Sequence, residues 1–201
     1  LSPLPLSYCT NVHPGQSVAE VEHGLTEYTS PMRRQFGELA AGLWLARPVV
    51  SELLEAPNFL SRFRDRIQQL DLSCYTLNTF PYGNFHDARV KENVYLPDWS
   101  DEKRLEYTVD CANVLAGLID DHTEGSLSTV PLGFKGFEHP VDFAAQCADQ
   151  LIQLARQLDA IYQTTGRRIR LAIEPEPFCV IETTPETIAF FEQLRERAAN
   201  Q

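Results

Sequence analysis

The chain has 201 residues, 43% hydrophobic and 22% charged, and 17 Lys and Arg against 28 Asp and Glu give a net charge of −11. That is enough for one globular domain over residues 1–201 with a sizeable core. An acidic chain without a basic run repels phosphate backbones, which argues against nucleic acid as a partner. No run approaches the ~20 apolar residues of a membrane-spanning helix, and residues 1–6 lack the charged start and apolar core of a secretory signal. The chain does not open on Met and has only Met32, so a processed or trimmed N-terminus is expected. Cys9, Cys74, Cys111, Cys147 and Cys179 are scattered without a C-x-x-C pair. Free thiols in a reducing compartment, by default the cytoplasm, are expected.

In chain order, Leu6 to Cys9 predicts a short strand that runs into the turn-rich loop Thr10-Asn11-Val12-His13-Pro14-Gly15. Val18, Val21 and Leu25 share one face of a helix expected over 17–29. A second strand spans Leu39 to Leu45. Pro48 opens a helical stretch that is broken at Ala56-Pro57 and resumes to Leu70. Leu72 to Leu77 is a third strand. Ser100 is a possible cap, with Asp101 and Glu102 in the first turn, for a helix carrying Leu105, Val109, Ala112, Leu115 and Ile119. Gly125 to Val130 is a weaker fourth strand. The apolar stripe Phe143, Cys147, Leu151, Leu154, Leu158, Ile161 and Tyr162 marks a helix over 139–165 that Gly166 stops. A fifth strand lies near 169–174. Thr184-Pro185 opens the last helix, with Pro in its favoured first position.

Five βα units imply parallel strands joined by crossover helices. At about 39 residues per unit, eight units need roughly 310, within the usual range of a (β/α)8 barrel. The chain therefore reads either as an open doubly wound sheet or as the first five units of a TIM-type barrel, apparently truncated. If truncated, its first and fifth strands are raw edges, so self-association or another segment completing the barrel is expected.

In both folds ligands bind at the C-terminal ends of the strands, and there the links are long and polar. His13, His86 and His139 fall in them; His139 reads as a helix-start residue, whereas His13 and His86 are candidates for proton transfer. The loop 79–99 holds Tyr82, His86, Arg89 and Lys91, a mixture of rings and cations that suits a small polar ligand. Lys135, in Leu132-Gly133-Phe134-Lys135-Gly136, is a candidate anion contact. Glu174 ends the fifth strand, where Pro175 stops ladder pairing and Glu176 follows; carboxylates so placed serve as general bases or hold a hard divalent ion. No G-x-G-x-x-G, Walker or G-x-S-x-G motif is present.

The Glu-Pro-Glu-Pro run 174–177, at the end of a fifth strand in a βα series, resembles the xylose isomerase-like TIM barrels, which include sugar phosphate isomerases and epimerases. Four segments, 6–15, 78–86 with 89–92, 128–135 and 172–177, look like the EboE-type metabolite-traffic proteins, a bacterial branch of that superfamily. The resemblance implies a divalent metal (Mn, Mg or Zn) at the barrel mouth, with Glu174 as the fifth-strand ligand and the remaining ligands on later strands, beyond this chain. For catalysis Glu174 is the candidate that holds the metal, with His13 or His86, from their place in the mouth loops, for proton transfer. Asn11, Asn78, Tyr82, Arg89, Lys91, Lys135 and Glu176 are then expected to contact a small-molecule, sugar-like metabolite. The functions to weigh are a metal-dependent isomerase or epimerase and a non-catalytic carrier of a biosynthetic precursor. A nuclease branch shares the superfamily fold, and the charge of −11 counts against it.

Overall fold

The computed structural model describes residues 6–83, 91–121 and 123–201. His86 and Arg89 fall outside them, as does the side chain of Lys91. The strands are β1 (Leu6–Cys9), β2 (Leu39–Trp44), β3 (Ser73–Asn78), β4 (Glu124–Thr129) and β5 (Arg168–Ile173). The helices are α1 (Val18–Gly24), α2 (Ser30–Phe36), α3 (Arg47–Glu55), α4 (Pro57–Gln69), α5 (Glu102–Leu118), α6 (Phe143–Thr165) and α7 (Thr184–Ala199).

The five strands form one sheet in the order β1-β2-β3-β4-β5, every neighbouring pair parallel. A doubly wound sheet reverses its strand order at a switch point; this one runs straight through in chain order, as consecutive units of a TIM-type barrel do. The architecture is therefore that of a partial (βα) barrel.

Alternate strand residues divide between the two faces. Leu39, Ala41 and Leu43 of β2, Cys74 and Leu77 of β3, Leu127 of β4 and Ile169 of β5 join a core shared with Val49, Leu53, Phe63, Ile67, Cys111 and Leu115 of the helices. A second apolar cluster gathers Trp99, Val130 and Leu132 with Phe143, Cys147, Leu151 and Phe190 of α6 and α7. Apart from the buried Trp44, the opposite, inner face carries polar or small side chains. One register row runs Gly42, Thr76, Ser126, Arg170 and the next Trp44, Asn78, Ser128, Ala172. The Ser126 hydroxyl donates to Thr76 Oγ1 at 2.9 Å.

Local chemistry explains where elements depart from their sequence pattern. The helix expected over 17–29 is α1 continued by a π-helical segment, Leu25–Thr29, into α2. Pro31 has no N–H to give the preceding turn, and the Ser30 N–H reaches back to the Leu25 carbonyl instead. The helix expected from residue 139 begins at Phe143, since Pro140 disfavours helical backbone at His139. His139 is thus a loop residue, its Nε2 bonded to the Phe134 carbonyl at 2.8 Å. Asp101, not Ser100, caps α5, accepting from the Lys103 N–H at 2.9 Å; the Ser100 hydroxyl is engaged by Asp98 at 2.6 Å. Gly166, with φ of 70°, ends α6, and a Thr183–Glu186 capping box opens α7.

Candidate functional site

The strands end in three linked segments. The first is the β3–α5 loop, whose described end includes a 3-10 turn at Lys91–Tyr95. The second and third follow β4 and β5 and are zipped together main chain to main chain. Lys135 N–H donates to the Phe178 carbonyl at 2.8 Å, Val180 N–H to Gly133 at 2.8 Å, and Ile181 N–H to Pro131 at 3.4 Å.

Within this zipper the chain folds back on Glu176, whose carbonyl accepts from Cys179 N–H at 3.1 Å and whose N–H donates to Ile181 at 3.3 Å. Glu176 is half-buried, while Glu174, at the tip of β5, is exposed. Partial burial, and then the charge of Glu174, push the Glu176 carboxyl above its ordinary value. The charge of Glu174 thus reaches the Glu176 carboxyl and favours its protonated form. Tyr95, which the sequence reading passed over, adjoins them: burial and the charge of Glu176 raise its phenol. Its ring stacks on Phe134, centroids 4.8 Å apart, and meets the edge of Phe80 at 5.4 Å. A lone aromatic in a long loop carries no sequence signal that would have marked it.

Asn78 ends β3, and its Oδ1 accepts from Phe80 N–H at 2.9 Å and from the Ser128 hydroxyl at 3.4 Å. That places it on the polar inner face, beside β4. Asn11 Oδ1 accepts from the Cys9 thiol at 2.6 Å. His13 is bonded through Nε2 to the Tyr8 hydroxyl at 2.7 Å and stacks on Tyr28 of the π-helical segment, centroids 4.0 Å apart. Tyr8 packs against the helix-side core, so these contacts set His13 between β1 and the π-helical segment. Tyr82 packs edge-on to the buried Tyr107 at 5.1 Å, and its carbonyl accepts from Arg47 N–H at 2.9 Å. The Lys135 ammonium meets Glu182 at 2.7 Å and Glu186 at 3.1 Å, and these bonds raise its pKa. Glu174 and Glu176 are thus brought together; the contacts of Tyr82 and Lys135 lead to α5 and α7.

A divalent ion needs several oxygen or nitrogen ligands. Among the described residues no group of three or more His, Cys, Asp or Glu is placed to hold one. Glu174 and Glu176 alone do not make up the ligand set of a resident metal. Among the described residues, no helix is long and apolar enough to cross a membrane.

No family model matches the chain, and no curated protein does. Solved structures match it along 96% of its length. One is 3-keto-D-glucoside 4-epimerase, YcjR, from E. coli, with a TM-score of 0.52 at 12% identity. Another is the IolI protein with a binding zinc atom, with a TM-score of 0.50 at 11% identity. The chain spans 65% of the epimerase and 59% of IolI. At such identities the likeness shows the fold: five βα units of a TIM-type barrel.

Proposed function

We propose that the chain is part of a xylose isomerase-like TIM-barrel protein that acts on a small sugar-like metabolite at the C-terminal mouth of the strands. The observation that carries this reading is the polar inner face. TIM barrels fill their interior with bulky branched side chains, whereas here rows of Thr76, Ser126, Asn78 and Ser128 lead up to Glu174. Hydroxyl and amide groups in rows match a polyhydroxylated ligand, and paired carboxylates suit proton transfer at a carbon beside a carbonyl. Glu176, held above its ordinary pKa, is the proposed proton carrier, and Glu174 orients the substrate hydroxyl. His13 and His86 are further proton-transfer groups, and Asn11, Asn78, Tyr82, Arg89, Lys91 and Lys135 contact the ligand.

A divalent ion at Glu174, with ligands supplied from outside the described residues, belongs to the same proposal; the zinc of IolI supports it. Kinship with the EboE-type metabolite-traffic branch rests on the quoted segments, and a cytoplasmic location on the free thiols. Incubation with a 3-keto-D-glucoside, followed by NMR for epimerised product with and without Mn²⁺, tests the reading. Turnover lost in Glu176→Gln is expected. Sugar binding without turnover would favour the carrier, and neither binding nor turnover would refute the proposal.

A further inference from the structure

Phe178 is held in a backbone conformation that its side chain disfavours, and the ring gains little burial in return. Its φ is 69°, and its relative exposure is 69%. In that left-handed region a Cβ crowds the neighbouring carbonyl, and a bulky residue there is a genuine outlier. The conformation is fixed from both sides. The Phe178 carbonyl accepts from Lys135 N–H at 2.8 Å. Its own N–H, after the Lys135 ammonium, helps hold the Glu182 carboxylate below the usual range. Lys135 closes the ring by its 2.7 Å bond to Glu182. The two charged groups thus form a clamp whose product is the presentation of one aromatic ring.

Glycine would meet the same backbone demand without strain. Strain kept at an exposed bulky residue points to what that residue touches outside the chain. Phe178 lies two residues from Glu176 and four from Glu174, in the segment that closes the strand mouth. An exposed apolar ring in the same short segment as two carboxylates suits a ligand with a carbon face and a rim of hydroxyls.

We propose that Phe178 is a specificity-determining contact of the mouth, its ring stacking on the C–H face of a sugar ring whose hydroxyls meet Glu174 and Glu176; this rests on the function proposed above. The assignment also gives Lys135 a role, that of a positioning residue for Phe178 through Glu182.

The test uses the 201-residue chain with methyl β-D-glucopyranoside as probe, read by saturation-transfer NMR and titration. In the unchanged protein, transfer should be strongest to the C–H protons of one sugar face. Phe178→Gly should weaken binding about threefold to tenfold, the range of an aromatic contact, and Phe178→Trp should restore it. Phe178→Gly should leave the melting temperature unchanged or raised, because the strain is removed. Equal sugar binding by Phe178→Gly, with binding lost in Glu176→Gln, would overturn this inference and leave the proposed function standing. A fall in melting temperature on Phe178→Gly would show the ring to be a structural contact, and would also overturn it. No sugar binding by the unchanged chain would overturn both.

Discussion

The Tyr107 hydroxyl donates to the Leu45 carbonyl at 2.6 Å, across 62 residues of sequence. The phenol comes from the middle of α5, and the carbonyl follows the last residue of β2, so one buried bond ties a helix to the strand mouth. The same oxygen lies 3.3 Å from the Pro81 carbonyl. Tyr107→Phe keeps the ring and removes the donor. We expect a loss of about 1–3 kcal/mol, the cost of leaving a buried acceptor unpaired, measured as a shift in the urea midpoint at unchanged slope.

Arg104, one turn earlier, is fully buried and gathers both ends of the β3–α5 loop. Its Nη1 donates to the Thr79 carbonyl at 2.6 Å and its Nε to the Pro97 carbonyl at 2.7 Å. Burial lowers its pKa to about 10, which leaves it charged at neutral pH. Arg104→Met removes the buried charge but strands two carbonyls, so we expect a net loss of about 2–4 kcal/mol. Arg104→Lys retains the charge without the two-pronged reach and should fall between, by equilibrium denaturation of the three proteins.

The N-terminus of α7 should give the fold an acid limit. The Glu182 and Thr183 N–H groups, then Lys135, bring the Glu186 carboxyl down to about 2 from its ordinary 4.5. A carboxyl with a lowered folded pKa contributes stability that is present above its unfolded value and lost as pH falls through the folded one. The loss should therefore run from about pH 4.5 to about pH 2. Glu186→Gln should flatten that part of the urea-midpoint profile, its loss of stability largest above about pH 4.5 and shrinking toward pH 2; an unaltered acid limb would refute the assignment.

Glu174→Gln should change how Glu176 titrates. The Glu176 carboxyl is raised first by burial and second by the Glu174 charge, so neutralising Glu174 should lower its pKa and leave the burial contribution. The sign for stability is opposite to that of Glu186: a raised folded pKa favours the fold at low pH, and that gain disappears as pH rises through the folded value. Carboxyl carbon shifts of labelled Glu against pH would show the downward move directly.

The strands were readable because most are short apolar or alternating runs between turn-forming residues, β4 with its lone Leu127 being the faintest, and their order followed from the βα alternation. Gly166 and the Thr183-Thr184-Pro185-Glu186 run end and begin helices through local chemistry, which a sequence displays. Long-range pairing is different. Nothing near Lys135 shows that its ammonium meets Glu182 and Glu186 through a loop zipper, or that the His13 ring rests against Tyr28. Glu174 and Glu176 could be paired in advance because they are two residues apart; Tyr95 could not, because about 80 residues of folded chain bring it there. Phe178 left no mark for a related reason: strain is a property of φ, and phenylalanine does not announce it.

The straight strand order β1-β2-β3-β4-β5 also sets how the molecule should breathe. Among the described residues, β3 is bonded on both sides to strands that are themselves bonded again, whereas β1 pairs only with β2 through four mostly exposed residues. Amide protons should then exchange with deuterium in a gradient along the sheet, slowest in β3, intermediate in β2 and β4, and fastest in β1. Asn78 rides on the slow centre and Ser128 on its bonded neighbour β4, so these inner-face groups would keep their spacing while the first strand opens and closes beyond β2.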